Sequence, residues 1–308
     1  MRAAGRLPRG YSRIGDDVAA FPSRSGKVVF KTDMLVERTD VPAGMTYRQA
    51  ARKVVAMCVS DFAAKGVRPD AFMVSIGLRK GVSRREVEEL SVGLQDAEKR
   101  WGVHLVGGDT NESDELVIDC AMVGFADRVV TRDGAAPGDV LVVSGPFGYP
   151  PSGLRILTSG AKAGQKLGRR ATRSVLEPNP NLEAGLALAP FLTSSMDSSD
   201  GLARSVHTLA RESGVGFEIT RLPVGEGVES FASANSLDAE RLVLEGGEEY
   251  VIVGTVRKSK LQKASAAAKK AGGKLIVIGS ANGRKGRVVL RTDDAVRPLR
   301  DEGWLHLR

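Results

Sequence analysis

Five short segments of the sequence place aspartate beside glycine or a small hydroxyl residue. Most of them adjoin a predicted strand or helix end, where the backbone could hold a carboxylate in a fixed position. An aspartate before a helix is usually an N-cap, and this structural interpretation is favoured for Asp200 taken alone. Capping explains the set as a whole less well. The segments are residues 14–17, 31–33, 59–61, 107–110 and 196–201.

Clustered carboxylates are chemically suited to holding magnesium beside phosphate. Mg²⁺ prefers hard oxygen ligands and bridges one or two carboxylates to nucleotide phosphates. Without a metal, neighbouring carboxylates repel one another and are driven towards protonation. Asp61 lies late in a predicted helix, where an acid opposes the helix dipole and a bound cation would compensate. The aspartates therefore predict a multi-metal phosphate site if the fold brings them together. A P-loop is disfavoured, because the sequence has no Gly-x-x-x-x-Gly-Lys-Ser/Thr segment.

Helices and strands are predicted to alternate along both halves of the chain. Capping boxes at Thr46 and Ser83 begin two helices, each of which ends at a glycine. A turn-rich segment near residue 135 separates the halves, so we expect domains 1–135 and 136–308. This alternation predicts an α/β or α+β fold. The predicted strands are 27–30, 72–76, 104–106, 116–125, 140–144, 250–256 and 274–278, and the later helices are 201–213 and 259–271.

The composition indicates a globular protein of a reducing compartment. The chain has 308 residues, of which 42% are hydrophobic and 27% charged, and this length accommodates two domains. No apolar run reaches the length of a membrane span, and no signal-peptide pattern is evident. Cys58 and Cys120 lie among apolar neighbours, as small core residues do. We therefore expect a cytoplasmic protein with no membrane partner.

The formal charge of +8 makes nucleic acid a partner to consider. The basic residues are scattered, and aromatic residues make up only 5% of the chain. The alternation of basic and stacking residues that binds single strands is not evident. A solvated basic surface is therefore favoured over a nucleic-acid site. His104 and His207 are interpreted as structural, since no Ser/His/Asp constellation accompanies them.

Seven motifs occur in an order that is typical of one enzyme family. The chain resembles thiamine-monophosphate kinase, a member of the aminoimidazole-ribonucleotide-synthetase superfamily, and its substitutions resemble those of the archaeal branch. The resemblance extends over roughly residues 13–304. The motifs are Ile-Gly-Asp-Asp, Thr-Asp-Met-Leu-Val, Val-Ser-Asp-Phe-Ala-Ala-Lys-Gly, Val-Gly-Gly-Asp-Thr, Arg-x-Gly-Ala-x-Pro-Gly-Asp, Asp-Ser-Ser-Asp-Gly-Leu and Gly-Gly-Glu-Glu-Tyr.

The resemblance implies a fold, an activity and a set of site residues. The fold is a two-domain α/β (α+β) fold like that of aminoimidazole-ribonucleotide synthetase, whose N-terminal sheet forms a homodimer interface with ATP bound nearby. The activity is phosphorylation of thiamine monophosphate, with ATP as co-substrate and Mg²⁺ as cofactor. The implied magnesium ligands are Asp17, Thr32, Asp33, Asp61, Asp109, Asp197 and Asp200. The implied nucleotide contacts are Gly108, Asp109, Arg132 and Ser199, and catalysis is assigned to Asp109, Asp200 and Arg132.

Several residues near the implied acceptor site depart from the family pattern. Lys31 stands where serine or threonine is common, and Glu249 replaces a usual aspartate. Residues 39–41 replace an Asn-His-Phe segment whose histidine faces the acceptor, so Asp40 is expected to take over that contact. Glu248 is implied as a second substrate contact. Trp304 lies in a short tail that could close over the substrate, as a third contact, or pack in the core. These departures bear on the acceptor and leave the metal and ATP assignments intact.

Two other functions stay open. Relatives in the superfamily use ATP to activate a carbonyl or amide oxygen in purine synthesis or hydrogenase maturation, or to make selenophosphate. Purine-type members favour Asp-Gly-Val-Gly-Thr-Lys where this chain has Thr-Asp-Met-Leu-Val, so that chemistry is disfavoured. A non-catalytic nucleotide- or nucleic-acid-binding module would use the positive charge, but the complete acid set argues against it.

Overall fold

The structure is a computed structural model that describes residues 16–23, 26–293 and 295–304. It contains two β-sheets with helices packed on them, which confirms the predicted α/β architecture. Residues 14 and 15, at the start of the first aspartate motif, lie outside the described residues. Within the described ranges, no helix is both long enough and apolar enough to cross a bilayer.

The first half of the chain forms one five-stranded sheet with a long helical layer. The strand order is β1-β2-β5-β3-β4, and β3 and β4 are parallel while the other pairs are antiparallel. The strands are β1 Ala19–Pro22, β2 Lys27–Val36, β3 Pro69–Arg79, β4 His104–Ser113 and β5 Val117–Ala126, and the helices are α1 Glu37–Asp40, α2 Tyr47–Lys65 and α3 Arg84–Trp101.

The second half forms a seven-stranded sheet in the order β12-β11-β8-β10-β6-β9-β7. Its strands are β6 Val140–Val143, β7 Leu192–Ser198, β8 Gly216–Ile219, β9 Val251–Val256, β10 Ile276–Asn282, β11 Val288–Arg291 and β12 Val296–Pro298. Its α-helices are α4 Tyr149–Ser159, α5 Gln165–Leu176, α6 Leu182–Leu188, α7 Leu202–Ser213, α8 Val228–Ala234, α9 Ala239–Leu244 and α10 Leu261–Lys270, and a 3₁₀ turn spans Lys258–Lys260.

Helix α2 lies between the two sheets and is buried along most of its length. The predicted capping box at Thr46 is present, with Thr46 accepting a hydrogen bond from the Gln49 amide, and Gly66 ends the helix as expected. The capping box at Ser83 likewise begins α3. These helices formed where local sequence predicted them, because capping depends on residues within one turn.

The two faces of the first sheet differ in what covers them. Strand alternation places Leu35 and Cys120 on the face that packs against α2, and both are fully buried. On each strand, the side chains that alternate with these point to the other face of the sheet, which no described helix covers. This uncovered face carries large apolar side chains that are 42–57% exposed, namely Phe30, Met34, Met73 and Phe125.

Several strands run further than the sequence predicted. Strand β2 continues to Val36 and carries the Thr-Asp motif in its interior, and β4 continues through both glycines and Asp109 to Ser113. Expected strand 274–278 instead spans Ile276–Asn282. These bounds depend on pairing with neighbouring strands, which local turn residues do not reveal.

Candidate active site

Three aspartates from distant parts of the sequence meet between the sheets. Asp17 is the last residue of the first aspartate motif, Asp61 lies on α2 and Asp197 lies near the end of β7. All three are buried, and one carboxylate oxygen of each lies within 4.8 Å of those of the other two. Asp197 accepts a hydrogen bond of 2.9 Å from Ser60 Oγ. We call these three residues the acidic cluster.

Two cations neutralise one side of the acidic cluster. Lys65, at the end of α2, is fully buried, and its Nζ lies 2.6 Å from Asp17 Oδ2 and 2.7 Å from Asp16 Oδ1. The same ammonium donates to the Ser195 carbonyl at 2.5 Å. Arg132 donates a close hydrogen bond to the other oxygen of Asp17. Both oxygens of Asp17 therefore face protein cations.

Lys31 compensates the charge of Asp61 on the other side of the acidic cluster. Its Nζ lies 2.8 Å from Asp61 Oδ2 and 3.2 Å from Asp33 Oδ1. Burial lowers the pKa of Lys31, but Asp61 and Asp33 more than offset this, so the net shift of its pKa is upward. The cation that the position of Asp61 required is thus supplied, in the free protein, by a lysine.

The acidic cluster nevertheless holds more negative charge than its surroundings tolerate. Burial, and next the nearby charge of Asp17, raise the pKa of Asp197 to about 6. Burial, together with Asp197, also raises the pKa of Asp61 well above its ordinary value. The pKa of Asp17 is lowered, because Lys65 and Arg132 outweigh its desolvation. The cluster therefore favours gaining a proton or a cation.

The donor set fits a divalent metal ion. Besides the three carboxylates, Asp33 Oδ2 is a buried oxygen without a hydrogen-bond partner in the described part of the chain. Hard carboxylate oxygens are the ligands that Mg²⁺ prefers. A bound divalent ion would be coordinated by these oxygens and would balance the excess negative charge of the site.

The raised pKa of Asp197 predicts how the metal-free protein responds to pH. Its folded-state pKa lies above the ordinary value of 3.8, so this stabilising contribution is complete below about pH 4 and is lost as the pH rises through about 6. In EDTA we expect the free energy of unfolding of the wild type to fall by about 3 kcal/mol between pH 4 and 7.5 because of this carboxyl group. Asp197→Asn should lack this decrease. Urea unfolding at both pH values measures it. Wild type and variant with the same pH dependence would contradict the prediction.

A second set of site residues surrounds the implied acceptor contact Glu248. Lys53, on α2, is buried, and its Nζ lies 2.5 Å from Glu248 Oε1. The same Nζ donates to the Asp40 carbonyl at 2.9 Å. The Asp40 carboxylate accepts hydrogen bonds from the Val36 amide and the Thr39 hydroxyl. Lys53 therefore joins the two residues that the sequence assigned to the acceptor.

The backbone around Glu248 is strained and tied to the end of β7. Glu248 has a φ of 61° and Tyr250 a φ of 50°, values that non-glycine residues rarely adopt. The amide of Glu248 donates to the Ser199 carbonyl at 2.7 Å, and the amide of Trp304 donates to the Asp200 carbonyl at 3.0 Å. Strained backbone of this kind often marks a functional site. Ser199, Asp200, Glu248 and Trp304 thus form one corner.

Asp200 does not cap helix α7 as its position alone suggested. The helix begins at Leu202, its N-cap is Gly201, and no side-chain cap hydrogen bond is present. The N-cap interpretation of Asp200 is therefore wrong. The carboxylate of Glu249 does bind a helix start, since the Gly148 amide at the beginning of α4 donates to it at 2.5 Å. Burial raises the pKa of Glu249 well above its ordinary value.

Thr32, Gly108 and Asp109 are placed apart from the acidic cluster. Strand register puts Thr32 opposite Ala121, and Asp109 opposite Ser75, on the uncovered face of the first sheet. The Thr32 hydroxyl donates to Asp119 at 2.8 Å. An added Cβ at Gly108 would lie 2.4 Å from the Val74 carbonyl oxygen, so close strand packing accounts for this glycine. Asp109 is exposed.

Sequence reasoning missed the buried polar residues of α2 that organise both parts of the site. Lys53, Ser60 and Lys65 contact, respectively, Glu248, Asp197 and the first aspartate motif. Their signal was present in the sequence, because each lies among apolar residues of a predicted helix. Lys and other charged residues are almost never fully buried unless paired.

The fold agrees with comparisons to known proteins. Residues 15–126 match the model of the AIR synthase related protein, N-terminal domain, and residues 136–291 match that of the C-terminal domain. These matches define the class as a two-domain AIR synthase-related protein.

Comparison with individual relatives shows to which group of proteins within this class the chain belongs. A thiamine-monophosphate kinase of Nitrosopumilus maritimus is 38% identical over 96% of this chain and 94% of its own length. One from Pyrococcus abyssi is 32% identical over 96% of this chain and 90% of its own length. A structure of AaThiL complexed with AMPPCP and TMP superposes with a TM-score of 0.85 at 26% identity, covering 96% of this chain and 92% of that chain. The chain belongs to the AIR synthase-related family and, within it, to the thiamine-monophosphate kinases.

Proposed function

We propose that this protein transfers the γ-phosphoryl group of ATP to thiamine monophosphate, giving thiamine diphosphate and ADP. The observation that carries the proposal is the acidic cluster of Asp17, Asp61 and Asp197, buried among cations. It occurs in a chain that is 38% identical to a thiamine-monophosphate kinase. The AaThiL complex with the ATP analogue AMPPCP and with TMP supports the same pair of substrates.

The transfer is proposed to be direct. The bond between the γ-phosphorus and the ADP oxygen breaks while a bond forms from an oxygen of the acceptor phosphate to that phosphorus. A phosphate acceptor is already ionised near neutral pH, so no general base is required. Arg132 or Lys31 is proposed to help neutralise charge on the transferred group. Bound Mg²⁺, held by Asp17, Asp61 and Asp197 with Asp33 nearby, would neutralise charge on the transferred group.

The corner around Glu248 is the proposed acceptor site. Glu248 is about one-third exposed and is oriented by Lys53, while Asp40 and Trp304 lie on neighbouring segments. Ser199, Asp200, Gly108 and Asp109 are proposed to bind the nucleotide and its metal, as the family pattern implies. A carboxylate at Glu248 suits the cationic or amino-bearing part of the acceptor.

We expect Glu248→Gln to raise the KM for thiamine monophosphate tenfold or more, by about 1.4 kcal/mol, while the KM for ATP changes little. Of the two substrates, only the acceptor contacts this carboxylate in the proposed site. Steady-state kinetics with each substrate varied in turn measures both constants. Glu226→Gln is a control, since Glu226 is an exposed partner of Lys166. Equal rises of both KM values would contradict the acceptor assignment.

We also propose that a second copy of this chain covers the exposed face of the first sheet. Phe30, Met34, Met73 and Phe125 form an apolar surface there, and exposed apolar patches commonly mark protein interfaces. Thr32 and Asp109 lie on the same face. A two-fold dimer through this face would place them at the interface, where the family pattern implies ATP.

If the protein forms this dimer, sedimentation at micromolar concentration should give a mass near twice 32.7 kDa. Met34→Lys should shift the equilibrium towards monomer, because it places a charge in an apolar interface. Val296→Lys, at an exposed position on β12, is the matched control and should leave the mass unchanged. A wild-type protein that sediments as a fully active monomer would contradict the proposed interface.

A further inference from the structure

The Lys31 ammonium occupies a position between two carboxylates that a metal ion could also take. It lies 3.2 Å from Asp33 Oδ1 and 2.8 Å from Asp61 Oδ2. The side chain of Lys31 is about one-fifth exposed and that of Asp61 only 6% exposed, so water screens this contact weakly. Asp33 Oδ2 has no hydrogen-bond partner among the residues described. A pair of oxygens from two acids would otherwise form a second cation subsite.

The charges around the cluster limit how many ions the free protein can hold. Asp16, Asp17, Asp33, Asp61 and Asp197 form one network with the cations Lys31, Lys65 and Arg132. With every group ionised, the network keeps two unbalanced negative charges, which one divalent ion would balance. A second ion would have to bind beside the Lys31 ammonium, and like charges at such distances repel strongly.

We propose that Lys31 is a built-in cation that takes the place of a divalent ion between Asp33 and Asp61. The nucleotide-free protein then binds one divalent ion tightly, at Asp17, Asp61 and Asp197. This inference rests on the proposed metal-dependent function and assigns Lys31 as a positioning residue that sets the metal stoichiometry. Bound nucleotide phosphates add negative charge, so the limit applies to the free protein.

Manganese titration of the full-length protein, without nucleotide or acceptor, tests the proposal. The electron paramagnetic resonance signal of free Mn²⁺ gives the number of bound ions and their affinity. We expect one tight ion in the wild type and two in Lys31→Met, because the variant frees the Asp33–Asp61 subsite. Lys27→Met, at the beginning of the same strand, is the matched control and should bind one.

A second readout separates this role from a merely structural one. In EDTA, Lys31→Met should unfold at a lower temperature than the wild type, since Asp33 and Asp61 lose their shared cation. Saturating Mn²⁺ should raise the midpoint of the variant by more than that of the wild type, because two ions bind the folded state. Should Lys31→Met not fold even with Mn²⁺, Lys31→Thr replaces it as the neutral variant.

The outcomes of the manganese titration do not depend on which molecule is the phosphate acceptor. Two tight ions in the wild type, or one ion of unchanged affinity in the neutral Lys31 variant, would overturn the proposal even if thiamine monophosphate is phosphorylated. One ion in the wild type and two in the variant would support it even if another acceptor is the substrate, because no acceptor is present in the titration.

Discussion

Asp61→Asn is expected to lower kcat by about a thousandfold or more while the protein stays folded. Metal-based charge stabilisation contributes several kcal/mol to a phosphoryl transfer, and about 4 kcal/mol corresponds to this factor. In metal-free buffer the variant should be at least as stable as the wild type, because burial disfavours the charged Asp61 carboxylate and Asp197 and other neighbouring acids repel it. Coupled assay of ADP formation and thermal unfolding in EDTA measure the two effects.

Asp96→Asn is the matched control for this substitution. Asp96 is paired with Arg48 on the surface, away from the acidic cluster, and exposed ion pairs contribute about 1 kcal/mol or less. Its turnover should equal that of the wild type. Near-normal turnover in Asp61→Asn, or loss of folding in metal-free buffer, would show that Asp61 is a structural acid and not a metal ligand.

Lys65→Met is expected to have the largest effect on stability, a loss of about 3–5 kcal/mol in the free energy of unfolding without metal. The lysine is fully buried and lies within 2.7 Å of both Asp16 and Asp17. Its removal leaves two buried carboxylates with only Arg132 as a cation. Urea unfolding in EDTA measures the loss.

A double variant and a surface control test whether the loss of stability in Lys65→Met comes from the carboxylates that this lysine neutralises. Asp17→Asn combined with Lys65→Met should recover part of the stability, because one of the unpaired charges is gone. Arg68→Met removes an exposed ion pair with Glu183 and should lose about 1 kcal/mol or less. A Lys65→Met variant that loses no more than Arg68→Met would contradict the view that Lys65 neutralises the acidic cluster.

The sequence predicted the parts of this molecule that depend on neighbouring residues. The two capping boxes and the glycines that follow their helices needed no knowledge of the rest of the chain. The class of protein could also be predicted from the sequence, because the motifs keep their order when residues elsewhere in the chain are substituted. The double-glycine segment was harder to predict, since Gly108 is required by the carbonyl of Val74 on another strand.

The arrangement of the site could be predicted only in part. Asp33 and Thr32 were grouped together, yet adjacent residues in a strand point to opposite faces, and only Asp33 faces α2. The true extent of β2 was needed to see this. The ion pairs of Lys53 and Lys65 join residues far apart in sequence, and a lysine in a helix gives no indication of its partner until the helix has been placed between the sheets.

The most direct test of the proposed function is a side-by-side assay of four acceptors with ATP and Mg²⁺, in which ADP formation and the phosphorylated product are both measured. The acceptors are thiamine monophosphate, thiamine, formylglycinamidine ribonucleotide and selenide. We predict that only thiamine monophosphate supports ADP formation and that thiamine diphosphate appears in equal amount. Thiamine should fail, because the site supplies cations for an anionic acceptor and no base for an alcohol. ADP formation with one of the other three acceptors, and none with thiamine monophosphate, would contradict the proposed activity.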